Sequence, residues 1–291
     1  MAYRRILLPL TGTASGEAAL NAALSVARIY ESHVHCLHVR VDARDVAPLA
    51  GEGLSGAMIE EMMAATERES GERADRVKAL WTKFVEGRDV TLAESAEAAM
   101  KAPGATLSFQ SVAGREEDIV AQQSRLYDLV VVPHPESGQD VSSSDALHAV
   151  LFDSGRPVLM APRETPATIG TRVCVAWNGT AQSATAVAEA LPWLHRAEHI
   201  RILHSPDYQR RGPEASGVQA YLRWHGIEAE AVAFKPATRE VGAGLLGAAR
   251  DFGCDLLVMG AYSHSRLRQL ILGGVTRHVL ENAEIPVQMT R

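Results

Sequence analysis

The stretch Asp255-Leu-Leu-Val-Met-Gly-Ala-Tyr-Ser-His-Ser-Arg-Leu-Arg-Gln-Leu-Ile-Leu-Gly-Gly-Val-Thr-Arg-His-Val-Leu280 decides how the chain is read. It opens on a short apolar run, Leu256 to Met259, of the kind that forms a strand buried on both faces. Gly260 ends that run. A small, polar and basic segment follows, Ala261 to Arg268, and the pair Gly273-Gly274 then opens an amphipathic stretch with Val275, Val279 and Leu280 on one side. A strand, a glycine, a basic loop and a glycine pair at a helix start can together hold an anion. Glycines let backbone N–H groups approach a phosphate, and the helix start adds partial positive charge. The same spacing is also met by a plain strand–loop–helix connection whose glycines serve only the turns, and both readings stay open here.

Upstream of this stretch the pattern is regular. Arg172 to Trp177 reads as a strand, Asn178-Gly-Thr180 as a turn, and Ala181 to His195 as a helix. Ile200 to His204 is a strand, Val218 to His225 a helix, Glu228 to Phe234 a strand and Val241 to Phe252 a helix. After the glycine pair, a helix from about Gly274 to Glu281 and a strand at Pro286 to Met289 close the chain. The first part carries the same order. Strands are expected at Arg5–Leu10, His33–Val39, Thr106–Val112, Asp128–Pro133 and Arg156–Ala161, with helices at Glu17–Tyr30, Arg115–Leu126 and Ser143–Asp153. A charged, helix-favouring insertion spans Ala57 to about Glu86.

The repeat is visible in letters. Asp128-Leu-Val-Val-Val matches Asp255-Leu-Leu-Val-Met, and Arg156-Pro-Val-Leu-Met matches Ile285-Pro-Val-Gln-Met. The segment Glu164 to Gly170 reads as a linker, which gives domains at 1–163 and 171–291. The expected fold is two tandem doubly wound parallel-sheet α/β domains, Rossmann-like, with right-handed crossovers. Ligands of such sheets sit outside the carboxyl ends of the strands, so the loops after Trp177 and Met259 share one edge.

Composition sets limits. The chain has 291 residues, 46% hydrophobic and 22% charged, enough for two globular cores. Its net charge of −6 predicts no general attraction to nucleic acid or an anionic membrane. No apolar run approaches a membrane span, and the start lacks the pattern of a signal peptide. Cys36, Cys174 and Cys254 are odd in number and lie in or beside apolar runs. This points to reduced thiols and a cytoplasmic location. No CxxC spacing suggests zinc.

The repeated pattern resembles the universal stress protein family in a tandem form, over nearly the whole chain. Members that bind ATP carry G-x2-G-x9-G-(S/T) after the fourth strand. On this chain the pattern falls on Gly260, on Ser263 where the family has glycine, on Gly273, and on Gly274 where the family has a hydroxyl residue. Val275-Thr276 follows as in the family. The family aspartate after the first strand matches Asn178. The resemblance implies an adenine nucleotide, ATP, in the second domain, with no metal beyond Mg accompanying it. Gly260, Ser263, Gly273, Gly274 and Thr276 would surround the phosphates, Asn178 would address base or ribose, and Arg266 would be a further phosphate partner. It also implies a regulatory role in stress response, two domains packed as an internal pseudo-dimer, and a homodimer through the last strands, 157–161 and 286–289, if those are free edges.

The first domain departs from the pattern. After Val132 it reads Pro133-His-Pro-Glu-Ser-Gly-Gln-Asp140, where prolines remove N–H donors and Glu136 and Asp140 repel phosphate. Thr11 stands at the aspartate position. Among other candidates, His33 and His35 share one face of a strand, His204 and Asp207 end a strand, and the histidines 134, 148, 264 and 278 have no ligand-like spacing. No G-x-S-x-G elbow surrounds Ser137 or Ser263, and no nucleophile–base set stands out, so no enzymatic activity is expected. The competing expectation is a protein of the same fold that binds no nucleotide and acts through protein partners, with the methionines of the 57–86 insertion as one candidate surface.

Overall fold

The computed structural model describes residues 2–42, 55–135, 141–208, 212–236, 240–262 and 274–291. The first half contains β1 (Arg5–Pro9), α1 (Gly16–Tyr30), β2 (His33–Arg40), α2 (Gly56–Glu86), β3 (Thr91–Leu92), α3 (Ala96–Lys101), β4 (Thr106–Ala113), α4 (Glu116–Ser124), β5 (Leu129–Val132), α5 (Val141–Asp153) and β6 (Val158–Met160). The second contains β7 (Arg172–Trp177), α6 (Ala181–Glu189), α7 (Leu191–Leu194), β8 (His199–His204), α8 (Ala215–Trp224), β9 (Glu230–Ala233), α9 (Val241–Phe252), β10 (Leu256–Gly260), α10 (Val275–Asn282) and β11 (Val287–Thr290). The α/β class, the mainly parallel pairing and the helix–strand alternation match the expectation from sequence.

The strands of both halves form one sheet of eleven, in the order β3-β4-β2-β1-β5-β6-β11-β10-β7-β8-β9. Within each half the pairs are parallel, and the two halves meet where β6 runs antiparallel to β11, with Leu159 opposite Gln288. This corrects one expectation. Strands 157–161 and 286–289 are not free edges for a second copy, because each satisfies the other's ladder in the middle of the sheet. The antiparallel join also points the carboxyl ends of the two halves in opposite directions, so the two candidate edges lie at opposite ends of the molecule.

Alternation along the strands decides which side chain enters which layer. Ile6, Leu8, Val34, Cys36, Val173, Val175, Leu256 and Val258 enter one layer, under α1, α2, α6 and α8. Leu7, Val130, Val132, Cys174, Leu257, Met259, Val287 and Met289 enter the other, under α4, α5, α9 and α10. Both layers run through the join between the halves. Tyr3, Tyr30 and Trp193 pack together there, with ring centroids 5.1–5.9 Å apart. The Trp193 indole donates to the buried Gln288 Oε1 at 2.8 Å, and the Tyr3 hydroxyl donates to the Glu189 carbonyl at 2.7 Å.

Local details follow from the residues present. In α1, Ala18, Ala19, Ala22, Ala23 and Ala27 are buried, and their small side chains let the helix lie close on the sheet. The helix expected over 181–195 is two pieces that meet at Ala190, because Pro192 has no N–H to bond the Ala188 carbonyl. The segment 57–86 is not an insertion. It is α2, the crossover helix from β2 toward the outer strands, and corresponds to the ten-residue α8 of the second half. Ser55 caps it by accepting from the Met58 N–H at 3.3 Å. Its later turns bury Val77 and Phe84, seven residues apart, whereas Met58 near its start is exposed. The strand β3 and the helix α3 are additions that the sequence pattern did not reveal. All three cysteines are free thiols and buried.

Candidate functional site

The edge is built from strand starts that repeat between halves. Asp255 accepts from the N–H groups of Thr171 and Arg172, at 3.1 and 2.8 Å. Asp128 accepts from those of Arg4 and Arg5, at 2.8 and 2.9 Å. The matching aspartates therefore anchor β10 to β7 and β5 to β1. Alignment at that end fixes what meets at the other: the turn after β7 beside the end of β10, and the turn after β1 beside the end of β5.

In the second half, Asn178, Gly179 and Thr180 make the turn after β7. Gly179 has φ +80°, a conformation that favours glycine. Asn178 Oδ1 accepts from the N–H and the hydroxyl of Thr180, at 3.2 and 2.7 Å. Thr180 in turn caps α6 through Ser183 N. The asparagine oxygen is thus spent on the turn, and its Nδ2 remains as a donor. A strap that the sequence pattern missed crosses this turn. The Pro213 carbonyl accepts from the Trp177 indole at 2.9 Å, and a Cβ on Gly212 would lie 2.0 Å from the Gly179 carbonyl oxygen. The Gly212-Pro213 pair ahead of α8 is the signal that marks it.

The structure brings Gly260, Gly274, Thr276 and Asn178 to the same edge by topology, since β10 lies beside β7. Their roles separate. A Cβ on Gly260 would come within 2.5 Å of Ser183 N and 2.6 Å of the Gln182 carbonyl carbon, so glycine is needed there for the strand end to meet α6. Gly274 is the N-cap of α10, at φ −89° and ψ 167°, and no described residue caps it through a side chain or lies within 4 Å of a built Cβ. The first backbone N–H groups of α10 have no partner inside the helix and so remain as donors at Gly274. Thr276 is buried, and its hydroxyl accepts from the Tyr262 N–H at 3.3 Å, fastening the two ends of the loop. Ser263, Arg266 and Gly273 lie outside the described residues.

Tyr262 is a further residue that sequence reading missed. It has φ +52°, and its hydroxyl is 2.8 Å from His148 Nε2 on α5. Its ring also packs 5.2 Å from that of Phe152. Tyr262, just past β10, is thus braced by a helix of the first half. A histidine with no spacing partner in sequence has its partner 114 residues away.

The first-half edge is filled. Gly12, at φ +76°, faces α2, and a Cβ there would meet Val77 Cγ2 at 3.0 Å. Thr11, Ser15, His38 and His134 are all buried. The Ser15 hydroxyl donates to the His134 carbonyl at 3.1 Å, and His38 Nδ1 bonds the Leu10 carbonyl at 2.8 Å. Burial, together with the charges of Arg73 and Arg40, pushes the His38 imidazole down, against the Leu10 bond that raises it. His33 and His35 lie elsewhere, toward the start of β2. They share the Ser108 hydroxyl at 2.9 and 2.8 Å, and His33 also reaches Thr106 at 2.9 Å. These partners make them a hydrogen-bonded strand face.

The universal stress protein family model matches residues 2–161 and again residues 171–291. The chain belongs to the universal stress protein family. A universal stress protein of Archaeoglobus fulgidus DSM 4304 has a similar structure, with TM-score 0.63, 16% identity, and coverage of 99% of this chain and 98% of that one. A functionally unknown protein of Pseudomonas aeruginosa PAO1 has TM-score 0.53 and 16% identity, covering 99% and 92%. At these identities the likeness concerns the fold. A universal stress protein of Synechocystis sp. (strain ATCC 27184 / PCC 6803 / Kazusa) is 51% identical over 37 residues, 13% of each chain. Among the described residues of this universal stress protein, no helix is long and apolar enough to cross a membrane.

Proposed function

We propose that this universal stress protein binds an adenine nucleotide, ATP, at the carboxyl edge of its second half, as a regulatory ligand in stress response and without turning it over. The observation that supports this is the start of α10 at Gly274, which no described side chain caps and where no described residue lies within 4 Å of a built Cβ, on the same edge as the Asn178 turn and in a half whose twin edge is covered by α2. Phosphate oxygens would be met by the N–H groups at the start of α10, where the helix dipole favours negative charge. The Asn178 amide would donate to a ribose hydroxyl or the base, without the charge of an aspartate. The strap at Gly212-Pro213 holds that turn in place. Gly260 serves packing in this reading and leaves phosphate contact to the helix start.

Titration calorimetry and thermal shift with ATP test the reading on the full chain. A single nucleotide is expected per chain, with binding lost in Gly274→Glu, which sets a carboxylate at the helix start. Absence of heat and of any shift with ATP would sink it. Sustained ADP release that the same variant abolishes would overturn the regulatory part and make the protein an ATPase.

A further inference from the structure

A second cleft lies away from both carboxyl edges, where the linker crosses between the halves. It has a volume of about 380 Å³. Ser25, Arg28 and Ile29, spaced i, i+3 and i+4 on the last turns of α1, form the wall from the first half. Trp193 and Arg196, at the end of α7, form the wall from the second. The linker makes the floor. Gly170 is at φ +79° and so close to Trp193 that a Cβ would fall 2.5 Å from the ring. Ile169 is buried beside it. The linker is anchored at Thr165, whose hydroxyl accepts from Asn21 Nδ2 at 3.0 Å.

The chemistry of this cleft is two-sided. Ile29, Ile169 and the edge of Trp193 are apolar. Arg28 and Arg196 come from different halves, and neither has a carboxylate partner among the described residues. Arg28 makes one long bond, 3.5 Å, to the Asp89 carbonyl. The Arg196 guanidinium lies 5.8 Å from the Tyr30 ring centre. The hydroxyls of Thr168 and Thr171 also line the space. Glu198 on the rim offsets one of the two positive charges. A triphosphate is therefore a poor fit, whereas a monoanion with a ring is a good one.

We propose that this cleft binds an amphipathic organic monoanion, a rigid hydrocarbon ring bearing one carboxylate, sulfonate or phosphate ester group. The anionic group is shared by Arg28 and Arg196, and the ring rests on Ile29 and Pro166, above the buried Ile169 and Trp193. Guanidiniums from both halves on one oxyanion give charge-assisted hydrogen bonds and tie the halves together across the linker. The lining is shared between polar and apolar residues, which suits a small molecule that carries both characters.

The test uses 1-anilinonaphthalene-8-sulfonate as probe, titrated into the full chain and followed by its fluorescence. Saturable binding is expected, undisturbed by saturating ATP. The double variant Arg28→Ala/Arg196→Ala, at exposed positions that leave the fold intact by circular dichroism, should weaken it by about tenfold or more. Ser25→Trp, which fills the cleft and keeps both cations, should abolish it. Unchanged binding in both variants, displacement by ATP, or loss instead in Trp224→Ala, which removes the exposed Trp224 of α8, would overturn the proposal. Because ATP and the probe are read separately, failure here leaves the nucleotide site untouched, and the reverse also holds.

Discussion

The turn after β1 and the turn after β7 occupy equivalent places and have opposite surroundings. Each centres on a glycine at positive φ, Gly12 at +76° and Gly179 at +80°. Around Gly12 the long helix α2 closes in, with Val77 against the glycine and Thr11, Ser15, His38 and His134 buried. Around Gly179 the corresponding helix α8 is ten residues long, and the Gly212-Pro213 strap ahead of it crosses the turn. The same βαβ frame therefore carries a long helix over the turn in one half and a short strap over the turn in the other. The difference lies in one crossover connection, because that element lies over the carboxyl ends of β1 and β2, or of β7 and β8.

The largest expected effect tests the plug. Phe84 anchors the end of α2 and is almost fully buried, so Phe84→Ala should destabilise the protein by about 3–5 kcal/mol, read from urea unfolding. If the plug is merely surface packing, the loss would stay below about 1 kcal/mol. Next comes the glycine of the second-half edge. Gly260→Ala forces a Cβ onto the backbone of Gln182 and Ser183, and a cost of about 1–3 kcal/mol is expected. A neutral result would return Gly260 to a purely ligand-facing role.

The third prediction concerns acid. Burial, with the charges of His35 and Arg5, holds His33 at about 4, below its ordinary 6.5, and burial pushes His35 and His38 down as well. These groups stay neutral in the fold while the unfolded chain takes up protons below pH 6.5. Their contribution is therefore full above about pH 6.5 and declines as pH falls toward 4. Denaturation midpoints measured from pH 7 to 4 should drop over that window, and His33→Gln should flatten the drop. A midpoint constant across the window would contradict the assignment. The smallest effect belongs to Gly274→Ser. The position has ordinary extended backbone and no described residue within 4 Å of a built Cβ, so stability should move by no more than about 0.5 kcal/mol. A loss above that would mean the start of α10 is packed.

Much of this architecture could be read before any coordinates. The alternation of apolar runs and amphipathic stretches located nearly every long element, and the two Asp-anchored strands exposed the repeat. Asp128 and Asp255 do the same work in the structure, each holding two N–H groups of its neighbouring strand. The candidate site was readable in part. Asn178, Gly260, Gly274 and Thr276 do gather at one edge, yet Gly260 is fixed by helix packing and the Thr276 hydroxyl by Tyr262. No local pattern reports such roles, since each depends on a partner distant in the chain. The brace from His148 to Tyr262 is of the same kind.

Periodicity and turn chemistry are short-range properties, and they located most of the long strands and helices, the tandem repeat and the parallel class of the sheet. The antiparallel meeting of β6 with β11, the opposite orientation of the two edges, the plugging of one by α2 and the cleft under the linker were not contained in them. These depend on which surfaces bury against each other once both halves are formed. A strand records its own alternation, but its ladder partner is chosen by the whole sheet.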